Sequence, residues 1–130
     1  MSAENFNPDL FTGNEKLIQN ALKNKNMKAF IVLEDLHPIP ALEGATLAKV
    51  DTAQLTIAYT TLRPGTVIPI HQHPEEAVDI LLEGKLEMQV GEQVSSMVPG
   101  MISIVPSNIP HTARAVTNCK VVTIFYPRRS

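Results

Sequence analysis

The chain is expected to fold as an all-β domain, a sandwich or closed barrel, with a short helical appendage at its N-terminus. Three observations carry that expectation. From Lys28 onward, short apolar and β-branched runs are separated by breaks such as Arg63-Pro64-Gly65, Glu83-Gly84, Gly91-Glu92 and Pro99-Gly100. Within those runs Leu86, Met88 and Val90 alternate with Lys85, Glu87 and Gln89, the period-two pattern of a strand with one dry face. The only stretch of helical spacing, Leu17, Ile18, Ala21 and Leu22 behind the potential cap Asn14, lies among asparagines and charges in the first 27 residues. Many short strands with one short helix indicate a sandwich or barrel.

Taken in order, residues 1–27 read as an extension holding a helix of two to three turns, and 28–130 as the barrel. Strands are expected near 28–34, 46–50, 53–62, 67–73, 77–83, 85–90, 93–97, 101–105, 111–116 and 119–126. His37 and Pro38 fall in a Pro-rich linker, where a plain loop histidine is expected. If faces are counted in step with His71 and His73, Ala77, Asp79 and Leu81 look inward, while Val78, Ile80 and Leu82 look outward. Val122, Ile124 and Tyr126 repeat the outward apolar row on the last strand. Such a dry outer face predicts a homodimer formed through that sheet.

Composition narrows the functional classes. A chain of 130 residues with 44% apolar and 18% charged residues is one ordinary globular domain. A net charge of −2 and the lack of a basic run argue against nucleic acid as a partner. Cys119 is the single cysteine, so no internal disulfide can form. The first ten residues carry Asn, Asp and Glu where a secretory leader needs a basic start and an apolar run. No stretch approaches the roughly 20 apolar residues of a membrane helix. A soluble cytoplasmic domain with no membrane partner is expected. No phosphate-binding loop, dinucleotide fingerprint, Cys-x-x-Cys pair or His-Glu-x-x-His helix occurs.

The chemistry-bearing pattern is His71-Gln72-His73, joined far downstream by His111 in Pro106-Ser107-Asn108-Ile109-Pro110-His111. Two histidines two apart on extended backbone project from one face, so both imidazoles can reach one ion. A third imidazole from a distant strand completes a three-nitrogen half-cage with positions left open for water or substrate. Zinc, iron, nickel, manganese or copper would suit such a site as a divalent cofactor.

With these residues in place, the sequence resembles the cupin superfamily. Its first motif, Gly-x5-His-x-His-x3–4-Glu-x6-Gly, is met by Gly65, His71, His73 and Gly84, with Ala77 at the glutamate position. Its second, Gly-x5-Pro-x-Gly-x2-His-x3-Asn, is met by Gly100, Pro106 and His111, with Asn108 and Ala115 at the remaining positions. The resemblance implies a double-stranded β-helix, or jelly-roll, barrel of the small RmlC-like kind with a metal near its mouth. Met27-Lys28-Ala29-Phe30, His71-Gln72-His73-Pro74, Leu82-Glu83-Gly84, Pro110-His111 and Phe125-Tyr126-Pro127-Arg128-Arg129 further resemble the small cupins that open the ring of unsaturated uronates in pectin and alginate breakdown. There, two His, a Gln and a third His hold the metal, and an Asp, a Phe and an Arg act on the sugar. His71, His73, His111, Phe125 and Arg129 match; Ala77 stands at the Gln position and Thr123 at the catalytic Asp position.

The departures assign expectations to other residues. Asp79, with inward parity, is available to fill the gap left at Ala77, to bond a metal-held water, to orient a histidine or to carry the proton. Its plainer reading is one end of a salt bridge or a side chain facing a solvent channel. Glu75 shares the histidines' parity and is a minor ligand candidate, while Glu76 reads as solvated. Arg129 is expected to grip a carboxylate, because a guanidinium pairs with one in bidentate fashion. Phe125, Met88 and Thr123 are expected to contact the substrate, with Met101 and Leu81 also lining the barrel. The expected function is that of a metal-binding cupin acting on a small carbohydrate acid or similar oxygenated molecule through the three-histidine site, with isomerase- or lyase-type chemistry as its enzymatic form. The alternatives are a three-histidine iron dioxygenase and a non-catalytic small-molecule-binding cupin.

Overall fold

The computed structural model describes residues 28–129. The helix expected at 14–22 lies outside them. The chain divides into two compact units, Met1–Val32 and Leu33–Ser130. In the first, the described residues 28–32 are irregular. The second holds a 3₁₀ turn, Leu33–Asp35, and ten strands: β1 Ile39–Leu42, β2 Ala45–Asp51, β3 Thr56–Leu62, β4 Val67–His71, β5 Glu76–Glu83, β6 Leu86–Val90, β7 Gln93–Met97, β8 Ile102–Val105, β9 His111–Ala115 and β10 Cys119–Tyr126.

The strands form two antiparallel sheets, one in the order β1-β2-β3-β10-β5-β8 and the other β4-β9-β6-β7. Their inner faces meet in one core. Leu62, Ala77, Leu81, Val105 and Val121 come from the larger sheet, and Leu86, Met88, Met97, Ala113 and Ala115 from the smaller. Burial of each large side chain in such a core contributes roughly 1.5–3 kcal/mol. This is the expected jelly roll, and the inward parity of Ala77 and Leu81 is observed.

The expected strand at 28–34 does not form. Residues 28–32 are irregular and 33–35 turn, while the ladder position beside β2 is taken by Ile39–Leu42. Sequence reading assigned that segment to a linker because of its prolines. Pro40 is accommodated because β1 is the edge strand, which needs a hydrogen-bonded partner on one side only. Strand β3 begins at Thr56 rather than 53. The Thr52 hydroxyl accepts the Leu55 amide at 2.9 Å, and the backbones of Thr52 and Leu55 also bond at 2.8 Å, closing a tight turn.

Two turns explain motif positions. Gly84 links β5 to β6 at φ +92°, and a Cβ there would lie 2.0 Å from the Asn118 carbonyl oxygen, so only glycine fits. Asn108, at the family's second glycine, adopts φ +60°. Asparagine is the side chain that best tolerates this left-handed region, so the backbone path survives the replacement. The Asn108 amide also donates to the His73 carbonyl at 2.8 Å, tying together the two loops that carry histidines.

Candidate metal centre

Each histidine is delivered by the end of a strand. His71 closes β4 and pairs directly with His111, the first residue of β9. A register shift between Ile68 and His71 disturbs the ladder there. The strand expected through residue 73 thus stops at 71, and His73 follows on irregular backbone leading to Pro74. The ring centroids lie 4.2 Å (His71–His111), 4.8 Å (His73–His111) and 5.6 Å (His71–His73) apart. One nitrogen from each ring falls within 4.8 Å of the other two. His73 and His111 are buried, and His71 is open to solvent.

Hydrogen bonding fixes which nitrogen is offered. The Nδ1 of His71 lies 2.7 Å from the Pro69 carbonyl, that of His73 2.9 Å from the Glu75 carbonyl, and that of His111 2.8 Å from the Ile109 carbonyl. A carbonyl only accepts, so all three Nδ1 atoms donate and each Nε2 keeps a free lone pair. Three rings locked in the same tautomer by backbone acceptors form a pre-oriented imidazole donor set, which fits a divalent transition ion. Burial holds the His111 ring below the usual histidine pKa range. The carbonyl of Ile109 opposes that shift, the neighbouring His71 and His73 add to it, and Asp79 opposes it more weakly. Its lone pair therefore stays available at pH values where an ordinary histidine is protonated.

The cluster opens into a cavity of about 200 Å³ inside the barrel. Asp79, Thr123, Met88, Phe125 and Arg129 all line it with the three histidines, over an apolar floor that includes Leu62 and Val121. The structure thus gathers the three histidines, Asp79, Met88, Thr123, Phe125 and Arg129 around one space, while Glu75 lies outside its lining. Leu81 and Met101, expected to line the barrel, do not line this cavity: Leu81 is fully buried in the core, and Met101 packs against that core.

Asp79 on β5 and Thr123 on β10 are cross-strand partners. The Thr123 hydroxyl donates to Asp79 Oδ1 at 2.6 Å and the Ser103 hydroxyl to Oδ2 at 2.9 Å. Both carboxylate oxygens are thereby held, and Asp79 forms no salt bridge among the described residues. Asp79 is not a member of the histidine cluster, so it does not fill the place of Ala77 directly. Sequence reading missed Ser103, whose role depends on the pairing of β5 with β8.

Arg129 is not a loose terminal charge. Its backbone amide donates to the buried Thr56 hydroxyl at 3.0 Å, and its guanidinium carbon lies 4.8 Å from the Phe125 ring centroid. Phe125 in turn meets the His73 ring edge-on at 5.6 Å. Glu75 places Oε1 3.7 Å from Arg129 Nε and 3.7 Å from His73 Nδ1. His37 is exposed in a loop, as expected. Cys119 is buried at the start of β10, and burial pushes its thiol pKa up, as suits an inert cysteine.

Comparison with known proteins decides the family. The cupin domain model matches residues 58–125, more than half the chain and all three histidines. The chain is a cupin. Over 66 residues, half of its length, this cupin is 36% identical to H2HPP isomerase of Bacillus subtilis, but the match spans only 28% of that relative. Its fold is similar to that of KdgF from Halomonas sp. (TM-score 0.75, 21% identity, 80% of this chain and 97% of the other). It is equally similar to an RmlC-like cupin from Shewanella frigidimarina (TM-score 0.75, 19% identity, 80% and 95%).

Proposed function

We propose that this cupin is a metal-dependent isomerase or lyase acting on a small carbohydrate acid, with unsaturated uronates as the leading substrate class. The observation that carries the reading is the meeting of three free imidazole nitrogens, a held carboxylate and a pinned guanidinium in one cavity. A divalent ion held by His71, His73 and His111 would supply Lewis-acid polarisation of a substrate carbonyl or hydroxyl. Arg129 binds the substrate carboxylate, and Phe125 with Leu62 and Val121 excludes water from the sugar's apolar side.

Asp79 moves the proton. Opening a cyclic hemiacetal that is also an enol ether takes one proton from a hydroxyl and returns one to carbon, with no net co-reactant. A single carboxylate between those two atoms suffices, and hydrogen bonds from Thr123 and Ser103 keep Asp79 pointed at them. The similarity to a relative named as an isomerase supports a reaction of this balance. Incubating the metal-loaded protein with an unsaturated uronate should bleach the ultraviolet absorbance of its ring double bond. Persistence of that absorbance with zinc, manganese, nickel, copper and ferrous iron alike would remove the reading.

The all-imidazole cluster favours one second reading, iron-dependent oxygen chemistry, since no carboxylate joins the cluster among the described residues. Oxygen uptake by the ferrous form with a diketone would select it. Binding of a uronate without turnover would select a sensing role instead.

We further infer that the protein acts as a homodimer. Ile102 and Ile104 on β8 lie beside Ile80 and Val78 on β5, which lie beside Val122 and Ile124 on β10. Ile102, Ile104 and Tyr126 are each more than half exposed on this outer face. Sedimentation should report a dimer, and Ile102→Lys with Ile104→Lys should return it to monomers; a monomeric wild type would refute this.

A further inference from the structure

Glu75 follows the His-x-His-Pro turn, and its side chain is 17% exposed. Its Oε1 is buried and has no hydrogen-bond partner among the described residues. Two groups flank that oxygen at the same 3.7 Å distance, His73 Nδ1 and Arg129 Nε. Buried polar atoms of a carboxylate are normally paired, so an oxygen shared between two donors and held by neither has a role to be explained.

The geometry excludes the ligand role. Glu75 lies on the Nδ1 side of the His73 ring, where its own backbone carbonyl already accepts the proton at 2.9 Å. A metal shared with His71 and His111 must bind the opposite nitrogen, Nε2. We propose instead that Glu75 is a positioning residue that couples the metal centre to the anion anchor. Its carboxylate orients the His73 ring from behind and simultaneously draws the Arg129 guanidinium across Phe125 toward the cavity. The same negative charge therefore fixes one metal ligand and the residue that receives the substrate carboxylate. This inference rests on the metal-centre reading above.

The test uses Glu75→Gln, which keeps the side chain's shape and removes its charge, with thermal unfolding followed to confirm the fold. Two measurements need no metal: nitrogen-15 spectra of the imidazole rings and of the arginine Nε–H groups. The expected result is that the His73 and Arg129 signals both move, while His71 and His111, which make no contact with the Glu75 carboxylate, stay in place. Zinc affinity, measured by chelator competition, is expected to fall by about 10–100-fold, the usual cost of losing a partner behind a metal ligand. Unmoved His73 and Arg129 signals, movement of only one of them, or unchanged zinc affinity overturns the coupling. A wild type that binds no zinc, with both signals shifted in the variant, overturns the metal reading while leaving Glu75's hold on the two side chains demonstrated.

Discussion

Replacing His111 by Ala is expected to abolish metal retention, and His71→Ala or His73→Ala to do the same, each without unfolding the barrel. The wild-type protein should carry close to one divalent ion per chain by elemental analysis, and the variants essentially none. The effect should exceed the ~10–100-fold loss that follows removal of a supporting partner, because two imidazoles leave an open half-shell that water can dominate. His111 is the most informative of the three. It is buried, its Nδ1 is locked to the Ile109 carbonyl, and burial keeps its ring neutral below the ordinary histidine range. The wild type should therefore keep this ligand competent on mild acidification. Without metal, the same depressed pKa has a stability consequence. The folded state binds a proton at His111 less readily than the unfolded chain does. Its contribution is thus full above the unfolded value of about 6.5 and is lost as pH falls through the lower folded value. Equal metal content in wild type and His111→Ala would show that the ion sits elsewhere and would remove the centre as a binding site.

How far the sequence reached depends on whether a feature is local. The His-x-His spacing and the parity of Ala77, Asp79 and Leu81 follow from alternation along one strand, and both survive in the structure even though His73 lies beyond the strand end. The meeting of His71 with His111 is non-local, and only the order of the two motifs made it legible. Strand β1 was hidden because Pro40 reads as a breaker until the edge position is known. The expected strand at 28–34 failed for the complementary reason. An apolar run specifies a strand only if a ladder position is free to receive it, and Ile39–Leu42 holds the one beside β2. Asn108 looked like the loss of a motif glycine, yet φ +60° shows that the conformation was kept while the residue type changed. Glu75 could be placed on a face from sequence, but its position behind His73 rather than in front of it depends on the turn after Pro74.

Asp79→Asn is expected to lower kcat by about 10²–10⁴-fold, the range for removing a positioned general acid or base, while metal content and KM stay near wild type. Asparagine can accept one of the two hydroxyls through Oδ1 and donate Nδ2 to the other, which turns to accept, so the geometry should hold and only the proton-carrying function should go. A stronger version uses the pairing register. By the resemblance to the uronate-opening cupins, Thr123 stands where an aspartate is expected, which by sequence alone looks like the loss of the acid. In the structure, residue 123 pairs directly with residue 79 across β10 and β5, and their side chains meet at 2.6 Å. Asp79 therefore sets a carboxylate directly across the ladder from the place where the resemblance expects one. Asp79→Thr alone should be as inactive as Asp79→Asn. Adding Thr123→Asp should return a carboxylate to the same part of the cavity and recover a measurable fraction of turnover, a strongly non-additive pair of the kind neighbouring residues show. Recovery would establish that the site requires a carboxylate at this place rather than at a given sequence position. Full activity in Asp79→Asn would leave Asp79 a structural acceptor for two hydroxyls and move the proton to another group.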